Sequence, residues 1–186
     1  MNVQEAKGDI SFICYNKYSQ RFIFDDEKPF EETLIDEFIQ KLLNNKLKAN
    51  YRSDIEPKVE PNQLIKTIVG STIELFLNEN ESKEVVIYFY LFHGCKQCEE
   101  FEKIYTNLAS HFLNNTNILF GKFNIELNEF PPIFEIKTVP AVFIRRANTA
   151  NPILFEYNEN SNLQDLISFI ESPKLQTENM NGKQEL

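Results

Sequence analysis

The residues best suited to chemistry in this chain lie in one short run, His93-Gly94-Cys95-Lys96-Gln97-Cys98. Two thiols separated by two residues can cycle between dithiol and disulfide, can supply half of a zinc site, or can be incidental. His93 extends the zinc possibility to three ligands, H-x-C-x-x-C. A structural zinc site takes a fourth ligand, and the other histidine, His111, lies about four turns of predicted helix beyond Cys98. No metal is therefore expected, and His93 reads as a loop residue placed to influence the charge on Cys95.

The elements around the cysteines favour redox use. Val85–Phe92 (VVIYFYLF) is too short to span a bilayer and too β-branched and aromatic for a surface helix, so it reads as a buried strand. Its aromatics Tyr88, Phe89, Tyr90 and Phe92 are expected in the core. A helix is predicted from Cys95 to about Leu113. Cys95 then sits at a helix N-terminus, where free backbone N–H groups and the positive end of the dipole stabilise a thiolate. That makes Cys95 the nucleophile. Cys98, one turn further in and more buried, is the resolving thiol of an exchange reaction. Cys14, inside the apolar run FICYN, reads as a small buried hydrophobe.

Composition bounds the rest. The chain has 186 residues, 42% apolar and 25% charged, with a net charge of −9. That balance describes a soluble globular protein, gives nucleic-acid binding no electrostatic support, and includes no segment for membrane insertion. The N-terminus has no signal-peptide pattern. The last four residues, Lys183-Gln184-Glu185-Leu186, differ by one residue from the KDEL retention signal. Sequons at Asn80 and Asn114 are compatible with a secretory route.

Two segments share one pattern. Strand Ile10–Cys14, strand Arg21–Phe24 and helix Phe30–Leu43 match strand Ala141–Arg145, strand Ile153–Tyr157 and helix Leu163–Glu171. The second copy is preceded by a strand near Leu64–Val69, a short helix near Ser71–Leu77, the Val85–Phe92 strand, the cysteine helix and a strand Ile118–Asn124. Strands alternating with helices argue for a mixed α/β sheet covered on both faces. The first copy lacks such a front half and would be half a core alone. The chain is thus expected to begin inside a domain, which would also account for a retention signal without a signal peptide.

These residues together resemble the protein disulfide isomerase family. The matching segments are FIQKLLNNKLKANYRSDIEP, VVIYFYLFHGCKQCEEFEKIYTNLA, GKFNI and KTVPAVFI, with the KQEL tail. The resemblance implies a thioredoxin fold preceded by a partial β-β-α half-domain. Residues 1–50 would be the remnant of a redox-inactive thioredoxin-like domain and 51–62 a linker. Residues 63–172 would be the C-terminal thioredoxin domain, and 173–186 a tail carrying the retention signal. It implies that Pro140 is a cis-proline facing the disulfide, leaving the backbone of Val139 free to pair with a client strand. Lys122 matches the family's lysine on the third strand.

The departures concern tuning. Lys96 and Gln97 replace the family's Gly-His between the cysteines. Phe89 stands where the family has a buried Glu six residues before the first cysteine, and Ser161 where it has a mobile Arg. Lys96 can partly replace the missing charge; Gln97 cannot. The region of Pro131-Pro132 should carry a short third helix or none.

The resemblance implies a disulfide isomerase-like enzyme of the endoplasmic reticulum lumen, needing no cofactor. Its partners would be unfolded or disulfide-containing client proteins and a KDEL-type receptor. The alternative is a redox-weak, client-binding chaperone or scaffold. A cytosolic thioredoxin-like reductase follows only if Met1 is the true start.

Overall fold

The structure is a computed structural model and describes residues 12–17, 20–25, 28–58, 63–158 and 161–172. The KQEL tail, residues 59–62 of the expected linker and the start of the first expected strand lie outside the described residues. The chain divides into two compact units, Met1–Tyr51 and Arg52–Leu186.

In the first unit β1 (Ile13–Tyr15) pairs antiparallel with β2 (Arg21–Ile23), and α1 (Glu32–Leu43) follows. Phe22, Phe24 and Phe38 form its buried centre. Phe38 meets Phe24 at 5.6 Å and Phe12 at 5.9 Å between ring centroids. Cys14 packs against this cluster as a half-buried free thiol.

The second unit is built on a five-stranded sheet. Its elements in chain order are β3 (Ile65–Ile68), α2 (Ile73–Glu79), β4 (Glu84–Tyr90), α3 (Lys96–His111), β5 (Ile118–Asn124), β6 (Ala141–Arg145), β7 (Ile153–Phe155) and α4 (Leu163–Glu171). Across the sheet the strands run β3-β5-β4-β6-β7. The pairs β3–β5 and β4–β5 are parallel, and β6 and β7 are antiparallel, so the sheet is mixed as the alternation predicts. Strand alternation sends Val86, Tyr88, Phe120, Val142 and Ile144 to one core, closed by Phe101, Tyr105 and Leu108 of α3 and Leu166 and Ile170 of α4. Val85, Ile87, Phe89, Phe123 and Phe143 line the other, closed by Ile73 and Leu77 of α2.

No helix lies between Asn124 and Ala141. Two adjacent prolines remove amide donors there, and the segment covers the sheet with side chains instead. Phe134 is buried against Phe89 and Phe143, at 4.9 and 5.3 Å. Asn128, itself buried, ties the segment down by accepting the N–H groups of Gly70 and Asp54 on its Oδ1.

Gly70 is required by close approach. A Cβ there would stand 2.2 Å from the Arg52 carbonyl oxygen and 3.1 Å from that of Glu129. Both contacts are backbone and neither can swing aside, so Gly70→Ala is expected to destabilise this unit by roughly 1–3 kcal/mol. A fall in the thermal midpoint of unfolding is the measurable result.

Several expected boundaries need correction: α1 begins at Glu32 rather than Phe30, β2 ends at Ile23 rather than Phe24, α3 spans Lys96–His111, and β7 ends at Phe155 rather than Tyr157. The central strand ends at Tyr90, not Phe92, because the chain turns through Leu91–Gly94 with Gly94 at φ 72°. Phe92 is consequently 65% exposed rather than in the core. The short helix starts at Ile73, because Ser71 and Thr72 form a turn in which the Ile73 N–H donates to the Val69 carbonyl. Among the described residues no helix is long and apolar enough to cross a membrane.

Candidate active site

Three strand ends and one helix start meet at one edge of the sheet. β4 ends at Tyr90, whose register partner on β5 is Asn124. β6 begins at Ala141, opposite Phe89. The loop leaving β4 delivers Cys95, the residue leaving β5 is Ile125, and the residue entering β6 is Pro140. The sheet register therefore brings residues 93–98, 124–126 and 139–140 to the same end of the molecule.

Cys95 is the N-cap of α3 and is disulfide-bonded to Cys98, with an S–S distance of 2.03 Å. Its Sγ accepts the backbone N–H of Cys98 at 3.1 Å. The carbonyl of Cys95 accepts the N–H groups of Cys98 and Glu99, which fixes the first turn. A sulfur so placed meets a donor and the positive end of a 16-residue helix, both of which favour a thiolate once the bond is reduced. Cys95 is half-buried, whereas Cys98 is 3% exposed and faces the core. Attack from outside can reach Cys95; Cys98 can react only inward, with Cys95.

The hydroxyl of Tyr88 donates to the Cys98 carbonyl at 2.9 Å, holding the second half of the motif against β4. Burial is the main reason the Tyr88 hydroxyl is pushed well above the ordinary phenol range, with the charge of Glu102 adding to it. Tyr88 therefore remains a donor at any working pH. Neither Tyr88 nor Glu102 is marked by sequence spacing alone.

His93 pairs with a carboxylate. Its Nδ1 lies 3.0 Å from Glu126 Oε1, and its backbone N–H donates to Glu126 Oε2 at 3.3 Å. The hydrogen bond from His93 holds the Glu126 carboxyl below the usual carboxylate range. The His93 ring also meets the exposed Phe92 edge-on at 4.8 Å. Glu126 was not foreseen; its only signal is its place two residues beyond the strand that pairs with β4.

Lys96 points into solvent, with 86% of its side chain exposed, 3.8 Å from Glu100 one turn on. Lys122, projecting from β5 toward α3, pairs with Glu102 at 2.9 Å and stands 5.8 Å from the centre of the Tyr90 ring. The Val139–Pro140 bond is cis; Val139 is half-buried and Pro140 buried. Phe89 is fully buried, ringed by Phe123 at 5.3 Å, Phe134 at 4.9 Å and Phe143 at 5.6 Å. No charge could be held among those rings without a partner. Ser161 closes a turn, accepting the Asn158 N–H on its Oγ at 3.0 Å.

Comparison with known proteins agrees with this architecture. Residues 65–172, more than half of the chain, match the thioredoxin family. Protein disulfide-isomerase A4 of Mus musculus is 25% identical over 173 residues, covering 92% of this chain and 26% of that protein. Protein disulfide-isomerase A3 of Gallus gallus is 25% identical over 182 residues, covering 95% and 33%. The protein disulfide-isomerase of Drosophila melanogaster is 27% identical over 139 residues, covering 74% and 27%. The chain thus spans about a quarter to a third of the length of these relatives. Among solved structures it is similar to the first thioredoxin domain of mouse Protein disulfide-isomerase A4, at 15% identity and a TM-score of 0.46, covering 61% of this chain and 77% of that one. The chain belongs to the thioredoxin family, with protein disulfide isomerases among its relatives.

Proposed function

We propose that this protein exchanges disulfides with client proteins in the lumen of the endoplasmic reticulum, with Cys95 as nucleophile and Cys98 as resolving thiol. The observation that carries the reading is the asymmetry of the pair: Cys95 half-exposed at the helix N-terminus, Cys98 buried behind it. The Cys95 thiolate attacks one sulfur of a client disulfide, forming a mixed disulfide and releasing the other client sulfur as a thiolate. Cys98 then attacks Cys95 Sγ, the Cys95–Cys98 bond forms, and the second client thiolate leaves. Run in reverse, the Cys95–Cys98 disulfide oxidises client thiols. Val139, entering β6 beside the cysteines, offers its backbone to an extended client segment in the manner of an added strand.

In this reading residues 1–50 are the remnant of a redox-inactive thioredoxin-like domain, 51–62 a linker and 63–172 the catalytic domain. The tail 173–186 is held by a KDEL-type receptor. A lumenal protein also meets the glycosylation machinery. Asn114 is exposed, whereas the Asn80 side-chain N–H donates to the Phe76 carbonyl at 2.7 Å, so Asn114 is the sequon we assign as the acceptor.

The test is equilibration of the Cys95–Cys98 pair with glutathione buffers, alongside insulin reduction. A potential of roughly −180 to −210 mV suits exchange in that compartment. A pair that stays oxidised through the whole glutathione range, with no insulin reduction, would overturn the reading. It would favour instead a client-binding scaffold with a static disulfide, a reading supported by the aromatic ring around Phe89 and the solvated Lys96.

A further inference from the structure

The resolving step poses a proton problem. Cys98 must lose a proton before it can attack Cys95, yet it is 3% exposed in apolar surroundings, which raise a thiol's pKa. On the Phe89 face of β4 the neighbours are phenylalanine rings, which accept nothing. Tyr88, bonded to the Cys98 carbonyl, keeps its own proton.

On the α3 face the situation differs. Glu102 is four residues after Cys98 on α3, so the two side chains are neighbours along one helix edge, roughly 5–6 Å apart at Cβ. Lys122 reaches across from β5 and fixes the Glu102 carboxylate at 2.9 Å. Lys122 is in turn positioned by the Tyr90 ring, which stacks on Tyr88 at 5.3 Å. Glu102 also contributes to raising both tyrosines, so its field reaches Tyr88, whose hydroxyl contacts Cys98. About half of its side chain is in solvent, which gives a proton taken up there a way out.

We propose that Glu102, held by Lys122, is the proton acceptor for Cys98 during resolution. The inference rests on the exchange reading above. In the step, the Cys98 S–H proton passes to the Glu102 carboxylate, directly or through one water. The Cys98 thiolate attacks Cys95 Sγ of the mixed disulfide, the Cys95–Cys98 bond forms, and the bond between Cys95 and the client sulfur breaks. The client sulfur leaves with the electron pair and is protonated by the Glu102 carboxylic acid or by solvent. One dithiol is oxidised and one client disulfide reduced. The other titratable groups facing Glu102 are Tyr88 and Tyr90 from β4 and Lys122 from β5. None combines a carboxylate with a place one turn from Cys98 except Glu102.

The test separates the two chemical steps on the reduced full chain. Mixing with oxidised glutathione gives attack by Cys95, then release of the second glutathione as Cys98 resolves. Both rates are followed from pH 5 to 9. Glu102→Gln is expected to slow resolution about tenfold or more near neutral pH and make it rise with hydroxide across the range. Attack by Cys95, isolated in a Cys98→Ser background, should stay within about twofold of the parent. Glu102→Asp should restore part of the resolution rate. A Glu102→Gln protein with the parent's resolution rate and pH profile overturns the proposal. So does one that loses attack and resolution together, which would make Glu102 a structural residue. A parent that releases no glutathione defeats the exchange reading itself.

Discussion

A Cys95→Ser protein is expected to show no insulin reduction above the buffer rate and to form no mixed disulfide, whereas Cys98→Ser forms one and retains it. The asymmetry follows from burial. Serine at 95 keeps the N-cap, because a hydroxyl oxygen can accept the Cys98 N–H that now reaches Sγ at 3.1 Å. The helix therefore survives, and what is lost is the nucleophile: a hydroxyl is not ionised under conditions in which a helix-capping thiol is. Serine at 98 leaves attack by Cys95 intact but removes the sulfur that displaces the client. Mass analysis after non-reducing quench distinguishes the outcomes. Client adducts on Cys95→Ser, through Cys98, would mean that Cys98 is reachable from outside and that the assignment of roles is inverted.

The largest expected effect on stability lies away from the cysteines, at Arg146. This guanidinium is 4% exposed and meets four acceptors. One is the Glu84 carboxylate at 2.8 Å; the others are the carbonyls of Ile170, Phe169 and Ser172 at 2.5, 3.0 and 3.3 Å. It thus closes the C-terminal end of α4, adding to the Ser172 N–H that the Phe169 carbonyl already accepts, and pairs with Glu84 at the start of β4. Arg146→Ala would take this donor from those carbonyls and leave a largely buried carboxylate without its cation. Removing one partner of such a pair costs about 3–5 kcal/mol. Against a typical domain stability of about 5–15 kcal/mol that is a large share. The expected result is a marked fall in the urea midpoint. Arg146→Lys should recover only part of it, because an ammonium cannot fork between a carboxylate and helix carbonyls. Double replacement with Glu84→Gln should cost less than the sum of the singles, since it removes the stranded charge.

Arg145, beside it, does the same work on the opposite side. It donates to the carbonyls of Asn80, Glu81, Lys83 and Thr149, tying the α2–β4 turn to the end of β6. Burial holds its pKa below the ordinary guanidinium value. Residue type and spacing alone give the Arg145-Arg146 pair no structural role. Only the turns and helix ends that converge there make it an anchor.

The sequence by itself determined the frame. A run of β-branched and aromatic residues, a cysteine and then a 3.6-residue apolar rhythm specify a buried strand, a turn and an amphipathic helix, and these put Cys95 at a helix start. Local periodicity gave the β5, β6 and α4 boundaries without error, because each is set by local propensity and, at α4, by the Asn162–Asp165 capping box. Pro131-Pro132 correctly argued against a third helix, since missing donors act wherever the segment is placed.

What the tertiary structure decided are the contacts between residues far apart in sequence. Glu126 claims His93 across 33 residues, and Lys122 claims Glu102 across 20. Register fixes these pairs: a one-residue slip of β5 against β4 would turn Lys122 to the other face of the sheet. The same is true of Phe92, apolar by type but carried out of the sheet when the strand ends at Tyr90 to present the cysteines. Local chemistry selects elements, while the position of a charge relative to a sulfur depends on how those elements pack. For that reason the sulfurs were legible in the sequence, and the carboxylate assigned to serve Cys98 was not.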